Sequence, residues 1–132
     1  MISLDTHILL RYGLADHATL SPLAQQMVEG EDCHVSVVAL AEAGYVLQSL
    51  YGASVAELLR WVRALLPVPT LHFEHEPRLA AALDGVQAGI DWFDAMLWLA
   101  NPRASEIATF DRRFALRAQR ASWQPPVRSH LP

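Results

Sequence analysis

Five short strand-like runs, at residues 2–4, 34–38, 70–73, 106–110 and 127–129, punctuate this chain, and stretches of helical periodicity separate them. Strands joined through helices need crossover connections, so they pair in parallel and carry helices on both faces. The helices have their own start and stop signals. Asp5 and Thr6 cap a helix reaching about residue 12, and a second helix over 20–29 has Pro22 in its first turn. Residues 39–50 have helical spacing and end near Gly52; Ser54 caps the next helix, which Pro67 stops. After Pro77 an alanine-rich helix runs towards Gly89, and Asp91 opens a helix that is apolar nearly all round and ends at Pro102. Asp111 caps a basic helix that continues to residue 121.

The length, 132 residues, and the 52% hydrophobic content fit one domain spanning residues 1–132, large enough to bury about two-thirds of its unfolded surface. Its one cysteine, Cys33, has no partner for an internal disulfide, and the opening residues lack the basic and apolar blocks of a secretory signal. No apolar run is long enough to span a bilayer. The expected location is the cytoplasm. All ten basic residues are arginine, which excludes a P-loop lysine and Schiff-base chemistry. The net charge of −4 is unevenly spread: residues 1–102 carry −8 and residues 103–132 carry +4, leaving a basic C-terminal segment suited to phosphate contact.

The acids fall at the ends of the strands. Asp5 follows the first, Glu42 lies about a helical turn beyond the second, Asp91 and Asp94 open a helix, and Asp111 follows the fourth. In an open parallel sheet, ligands bind beyond the carboxyl ends of the strands, so these acids are expected to converge in one crevice. Packed carboxylates resist ionisation unless a cation neutralises them, and oxygen-only ligands favour magnesium or manganese. Each acid also has a purely structural explanation. Asp5, Asp91 and Asp111 stand where helix caps stand, and Asp91 with Asp94 forms a capping-box-like pair. Glu42 lies in an apolar helix directly after an apolar strand, where an unpaired charge is expensive; its structural alternative is the exposed edge of an amphipathic helix.

These residues resemble the PIN-domain family, and within it the VapC-type toxins of bacterial toxin–antitoxin pairs. Ile2-Ser3-Leu4-Asp5-Thr6 is similar to the family's first motif and Glu42 to its second acid. The run from Asp91 to Ala100 is similar to the third, where the acid preceding Ala is the metal ligand, here Asp94, with Asp91 as a secondary acid. Thr109-Phe110-Asp111-Arg112-Arg113-Phe114 is similar to the last. The family commonly has Asn after Asp-Thr; this chain has His7, which can still donate a hydrogen bond.

The resemblance implies a PIN-like three-layer α/β/α sandwich with a central, mainly parallel sheet of four to five strands. It implies a ribonuclease in which Mg2+ or Mn2+, held by Asp5, Glu42, Asp94 and Asp111 with Asp91 nearby, activates a water against the RNA phosphodiester and leaves a 5′-phosphate and a 3′-hydroxyl. Thr6 and Thr109 are candidates to orient ligands or water. Arg112, Arg113, Arg117 and Arg120 beside Asp111, and Arg11 after Asp5, are candidates for RNA contact; a solvated helix face, or for Arg11 a nearby acid, is the alternative. The expected partners are RNA, a cognate antitoxin that inserts an arginine among the acids or buries a helix against apolar surface near the first helices, and a second copy in a homodimer.

Other constellations point to less. His72 and His75 are three apart on a strand-to-loop stretch with no second cluster, which fits a surface loop better than a closed zinc site. Cys33 reads as a buried strand residue, and Trp61, Trp92, Trp98 and Trp123 as core, with one or two available for an interface. Two other function classes remain. One is a non-catalytic binding or assembly module whose acids are caps. The other is an aspartyl-phosphate protein using Asp5, which the missing lysine disfavours.

Overall fold

Short polar residues set where the helices begin, and the helices leave only two or three residues for each strand. In the computed structural model, which describes residues 1–132, two compact units are present, Met1–Glu74 and His75–Pro132. The first unit contains β1 (Ile2–Ser3), α1 (Thr6–Leu14), α2 (Leu20–Gly30), β2 (Cys33–Val35), α3 (Val37–Ser49), α4 (Val55–Leu65) and β3 (Leu71–Phe73). The second contains α5 (Glu76–Gln87), α6 (Trp92–Ala100), β4 (Ile107–Thr109), α7 (Arg112–Arg120) and β5 (Val127–Ser129). The class is α/β with every strand pair parallel. No helix is long and apolar enough to cross a membrane.

In the first unit the strands lie in the order β1-β2-β3, with Ile2 opposite Cys33 and Cys33 opposite Leu71. The strand expected over 34–38 ends at Val35. Ser36 takes an N-cap conformation, and its hydroxyl accepts the Ala39 N–H at 3.1 Å. Glu74, at the end of β3, accepts the Val37 N–H at 2.8 Å. Two of the orphan donors of α3 are thereby satisfied, which outweighs the strand preference of Val37 and Val38. Leu9, Val28, Val35, Leu40, Leu58 and Val62 form the core, with α1 packed on α2 and α3, and α3 on α4. Gly13 faces the Trp61 ring so closely that an added methyl would run into the indole.

In the second unit β4 and β5 form a two-stranded ladder with Ile107 opposite Val127, so the five strands divide into one ladder of three and one of two. The α6 helix buries Trp92, Ala95, Met96, Trp98 and Leu99 but leaves Phe93 and Leu97 exposed, so it is buried on one broad face rather than all round. Trp98 stacks on Trp123 with ring centroids 4.1 Å apart, and its indole N–H donates to the Pro125 carbonyl at 3.1 Å. The Gln124–Pro125 peptide bond is cis. Arg78 lies over the Trp98 ring at 3.8 Å and donates to the carbonyls of Trp98, Leu99 and Gln124. One guanidinium therefore closes the C-terminal end of α6 and holds the 124–125 segment.

Candidate functional site

In the second unit, Asp91 and Asp111 both act electrostatically on Asp94. Asp91 caps α6: its Oδ2 accepts the N–H groups of Phe93 at 3.0 Å and Asp94 at 3.3 Å. Asp111 caps α7 in the same way, its Oδ1 accepting from Arg113 at 2.9 Å and Phe114 at 3.1 Å. Asp94 lies in the first turn of α6 and is half-buried. Burial pushes its carboxyl above the ordinary aspartate range, and Asp91 and Asp111 push it further in the same direction. Thr109, at the end of β4, accepts the Asp111 N–H through its hydroxyl at 3.0 Å and so shapes the turn before the cap.

The donor chemistry here fits a hard divalent cation. It is oxygen only, one carboxylate resists its own charge, and the cap bonds occupy just one oxygen of Asp91 and one of Asp111. No three His, Cys, Asp or Glu side chains close into a cage. Asp94, with the free oxygens of Asp91 and Asp111, would be the group to hold such a cation, with water completing its shell. A separate concavity of about 720 Å3 between α7 and β5, bordered by Arg112, Gln119, Gln124 and Arg128, has no carboxylate in its wall.

The first unit carries the other two acids. Asp5 stands at the N-cap of α1, yet its side chain makes no capping hydrogen bond, so capping does not account for that carboxylate. Thr6 is buried and donates its hydroxyl to the Ala39 carbonyl at 3.4 Å, tying the start of α1 to the helix that carries Glu42. That bond joins two helices. Glu42 is exposed, on a solvent stripe with Val38, Tyr45 and Ser49. The expected desolvation of this acid does not occur, because α3 turns its buried face through Ala39, Leu40, Ala43 and Leu47. His7 is exposed as well.

The arginines divide by what they hold. Arg11 bonds Asp16 at 3.3 Å and the Tyr51 hydroxyl at 3.4 Å. Arg112 donates to the Pro132 carbonyl at 3.0 Å, and Arg117 to the Gly89 carbonyl at 2.7 Å. Arg113 and Arg120 extend into solvent on α7. His72 pairs with Asp32 at 3.0 Å, away from any zinc-like cluster. Cys33 is fully buried, and that burial, with Glu31 and Asp32 nearby, pushes its thiol up and away from reactivity. Trp92, Trp98 and Trp123 are core residues, and Trp61 is partly covered. Phe93 and Phe110 had no assigned role from sequence, although each directly precedes an acid of the cluster; both are exposed.

Comparison with curated proteins and with solved structures gives no match. The family model described as the PIN domain matches residues 2–119, running through both units and all the acids described above. PIN domains are generally nucleases and typically depend on divalent metal. With the strand-end acids and the all-parallel α/β architecture, that match makes this chain a member of the PIN-domain family.

Proposed function

We propose that this chain is a metal-dependent endoribonuclease toxin of the VapC type, using Mg2+ or Mn2+ and neutralised by a cognate antitoxin. Its acids are Asp5, Glu42, Asp94 and Asp111, with Asp91 in support. The observation that carries the reading is the state of Asp94: a half-buried carboxyl pushed up by burial and by two neighbouring carboxylates, an arrangement that a bound cation would relieve. A metal held at Asp94 would supply the Lewis acidity that activates water and stabilises the leaving oxygen. Asp91 holds the first turn of α6 and with it the backbone of Asp94. Thr109 and the Asp111 cap hold the turn that presents the basic face of α7, where exposed Arg113 is available to RNA phosphates. Asp5, free of capping duty, is available as a ligand.

A groove of about 820 Å3 between α1 and α2, floored by Ile8, Leu20, Leu23 and Met27 with Arg11 and Glu31 at its border, supports an antitoxin helix as partner. The homodimer expected of the family belongs to the same proposal. The activity is tested by incubating the purified chain with RNA and magnesium or manganese beside Asp94→Asn. Cleavage by the parent, lost in the variant and in EDTA, is the expected result; equal cleavage by both defeats the assignment.

The capping bonds of Asp91 and Asp111 favour a second reading, a binding module in which these acids only start helices. Metal titration separates the two. Binding to the native state raises the melting temperature by mass action, so a nuclease site gains stability with millimolar cation and a module does not.

A further inference from the structure

Of the four phenylalanines, Phe73 and Phe114 are buried, while Phe93 and Phe110 are 50% and 74% exposed. Both exposed rings belong to the second unit, and each directly precedes an acid of its cluster, Asp94 or Asp111. Phe110 is the more exposed, and its backbone is tightly held. The Thr109 hydroxyl accepts the Asp111 N–H at 3.0 Å, the Thr109 carbonyl accepts the His130 N–H at 2.9 Å, and the Asp111 carboxylate caps α7. An apolar ring of this size held out in water gains nothing for the fold.

We infer that Phe110, next to Asp111, is a stacking face for an unpaired nucleobase of the RNA. The inference rests on the nuclease reading for its substrate and on the ring's exposure and braced backbone for its position. Three features favour a base over a protein partner. In sequence, Phe110 stands between Thr109 and the run Asp111-Arg112-Arg113, and all three residues of that run are exposed. The segment 103–132 carries +4, which attracts a phosphate backbone. A backbone already braced at Thr109 and Asp111 also leaves less entropy to lose when a base settles on the ring. Every base has a π face, so such contact selects for unpaired strands without reading sequence, whereas bases in a duplex have their faces already covered.

The test is binding in an Asp94→Asn background with magnesium, using a fluorescently labelled single-stranded RNA and the same sequence as a duplex. Phe110→Ala is expected to raise Kd for the single strand about tenfold, and Phe110→Trp to restore it. Phe110→Leu keeps the apolarity but not the π face, and is expected to behave like the alanine variant. Duplex binding should change little across the series. Melting temperatures stay level because the ring is exposed.

Parent-like binding by Phe110→Leu, or equal losses for single strand and duplex, overturns the inference. So does a loss of self-association in sedimentation with RNA affinity intact, which would assign Phe110 to a protein contact. Cleavage by the wild-type chain with Phe110→Ala binding normally sinks the stacking role alone. Phe110-dependent RNA binding without cleavage by the wild-type chain sinks the catalytic reading and leaves the stacking face standing.

Discussion

Asp91 accepts the backbone N–H of Asp94 at 3.3 Å, and burial first, then the Asp91 charge, oppose ionisation of the Asp94 carboxyl. The same residue thus positions Asp94 and makes its negative charge costly. A folded-state carboxyl raised above its unfolded value weakens the fold as pH climbs through that interval, and the cost persists at neutral pH. In EDTA at pH 7, Asp94→Asn should therefore melt higher than the parent. Solvent screening at this half-buried position keeps the gain to about 1–3 °C. The difference should shrink as pH falls through the unfolded-state value near about pH 4 and vanish by about pH 3, where the unfolded-state carboxyl is also protonated. Calorimetry across pH reads both effects, and a variant that melts lower than the parent at pH 7 rejects the electrostatic account.

Arg78 makes three hydrogen bonds to backbone carbonyls and covers the Trp98 ring. Its replacement by alanine strands those acceptors and uncovers the stacked indoles. We expect Arg78→Ala to cost about 2–3 kcal/mol in urea unfolding. Arg78→Lys should recover less than half of that, since a single ammonium cannot reproduce the planar fork. Full rescue by lysine would mean that charge alone matters there.

The caps were legible in the sequence because the information is local: Asp91, Asp111 and Ser54 sit directly before helical runs and bond within three residues. The β2–α3 boundary misled because Val37 and Val38 carry strand propensity, while the deciding bond to Val37 comes from Glu74, distant in sequence. Glu42 misled for a related reason. Apolar neighbours in sequence do not fix which side of a helix faces water, and only the packing of α3 on α1 and α4 sets that. The motif spacing singled out Asp94, but the influence of Asp111 on it needs the fold. The Arg78–Trp98–Trp123 stack joins residues too far apart for any sequence period to reveal.

Gly85 occupies the middle of α5, where glycine is a poor helix former, and the Trp123 ring fills the space its side chain would take. Helix propensity alone predicts that Gly85→Ala stabilises. The overlap with Trp123 predicts the opposite, a loss of about 1–3 kcal/mol. Combining Gly85→Ala with Trp123→Leu should recover part of that loss relative to Trp123→Leu alone, a coupling that a double-mutant cycle measures.

Ser54 and Glu57 form a reciprocal capping box at the start of α4. Hydrogen bonds from the Ser54 backbone and hydroxyl hold the Glu57 carboxyl below its ordinary range, with Arg60 adding to the effect. A depressed carboxyl contributes stability above the unfolded value, and that contribution is lost as pH falls through the folded one. Ser54→Ala should cost about 1 kcal/mol at pH 7. Glu57→Gln should flatten the decline in stability below about pH 5, as followed by circular dichroism.

Arg113 and Arg117 lie one helical turn apart on α7 and look equivalent in sequence, yet Arg117 is tied to the Gly89 carbonyl just before α6 while Arg113 extends into solvent. Their alanine variants should therefore fail in different ways. Arg113→Ala leaves the melting temperature unchanged, weakens binding to any RNA sequence alike, and lowers the slope of log K against log salt by about 1. Arg117→Ala strands a carbonyl and loosens the segment leading into the Asp91 cap, with a stability loss of about 1 kcal/mol. Its RNA affinity should fall only as far as that loosening displaces Asp94. Salt-titrated binding beside thermal melts separates the two roles, and identical behaviour of the pair in both measurements would show that the Gly89 contact has no consequence in solution.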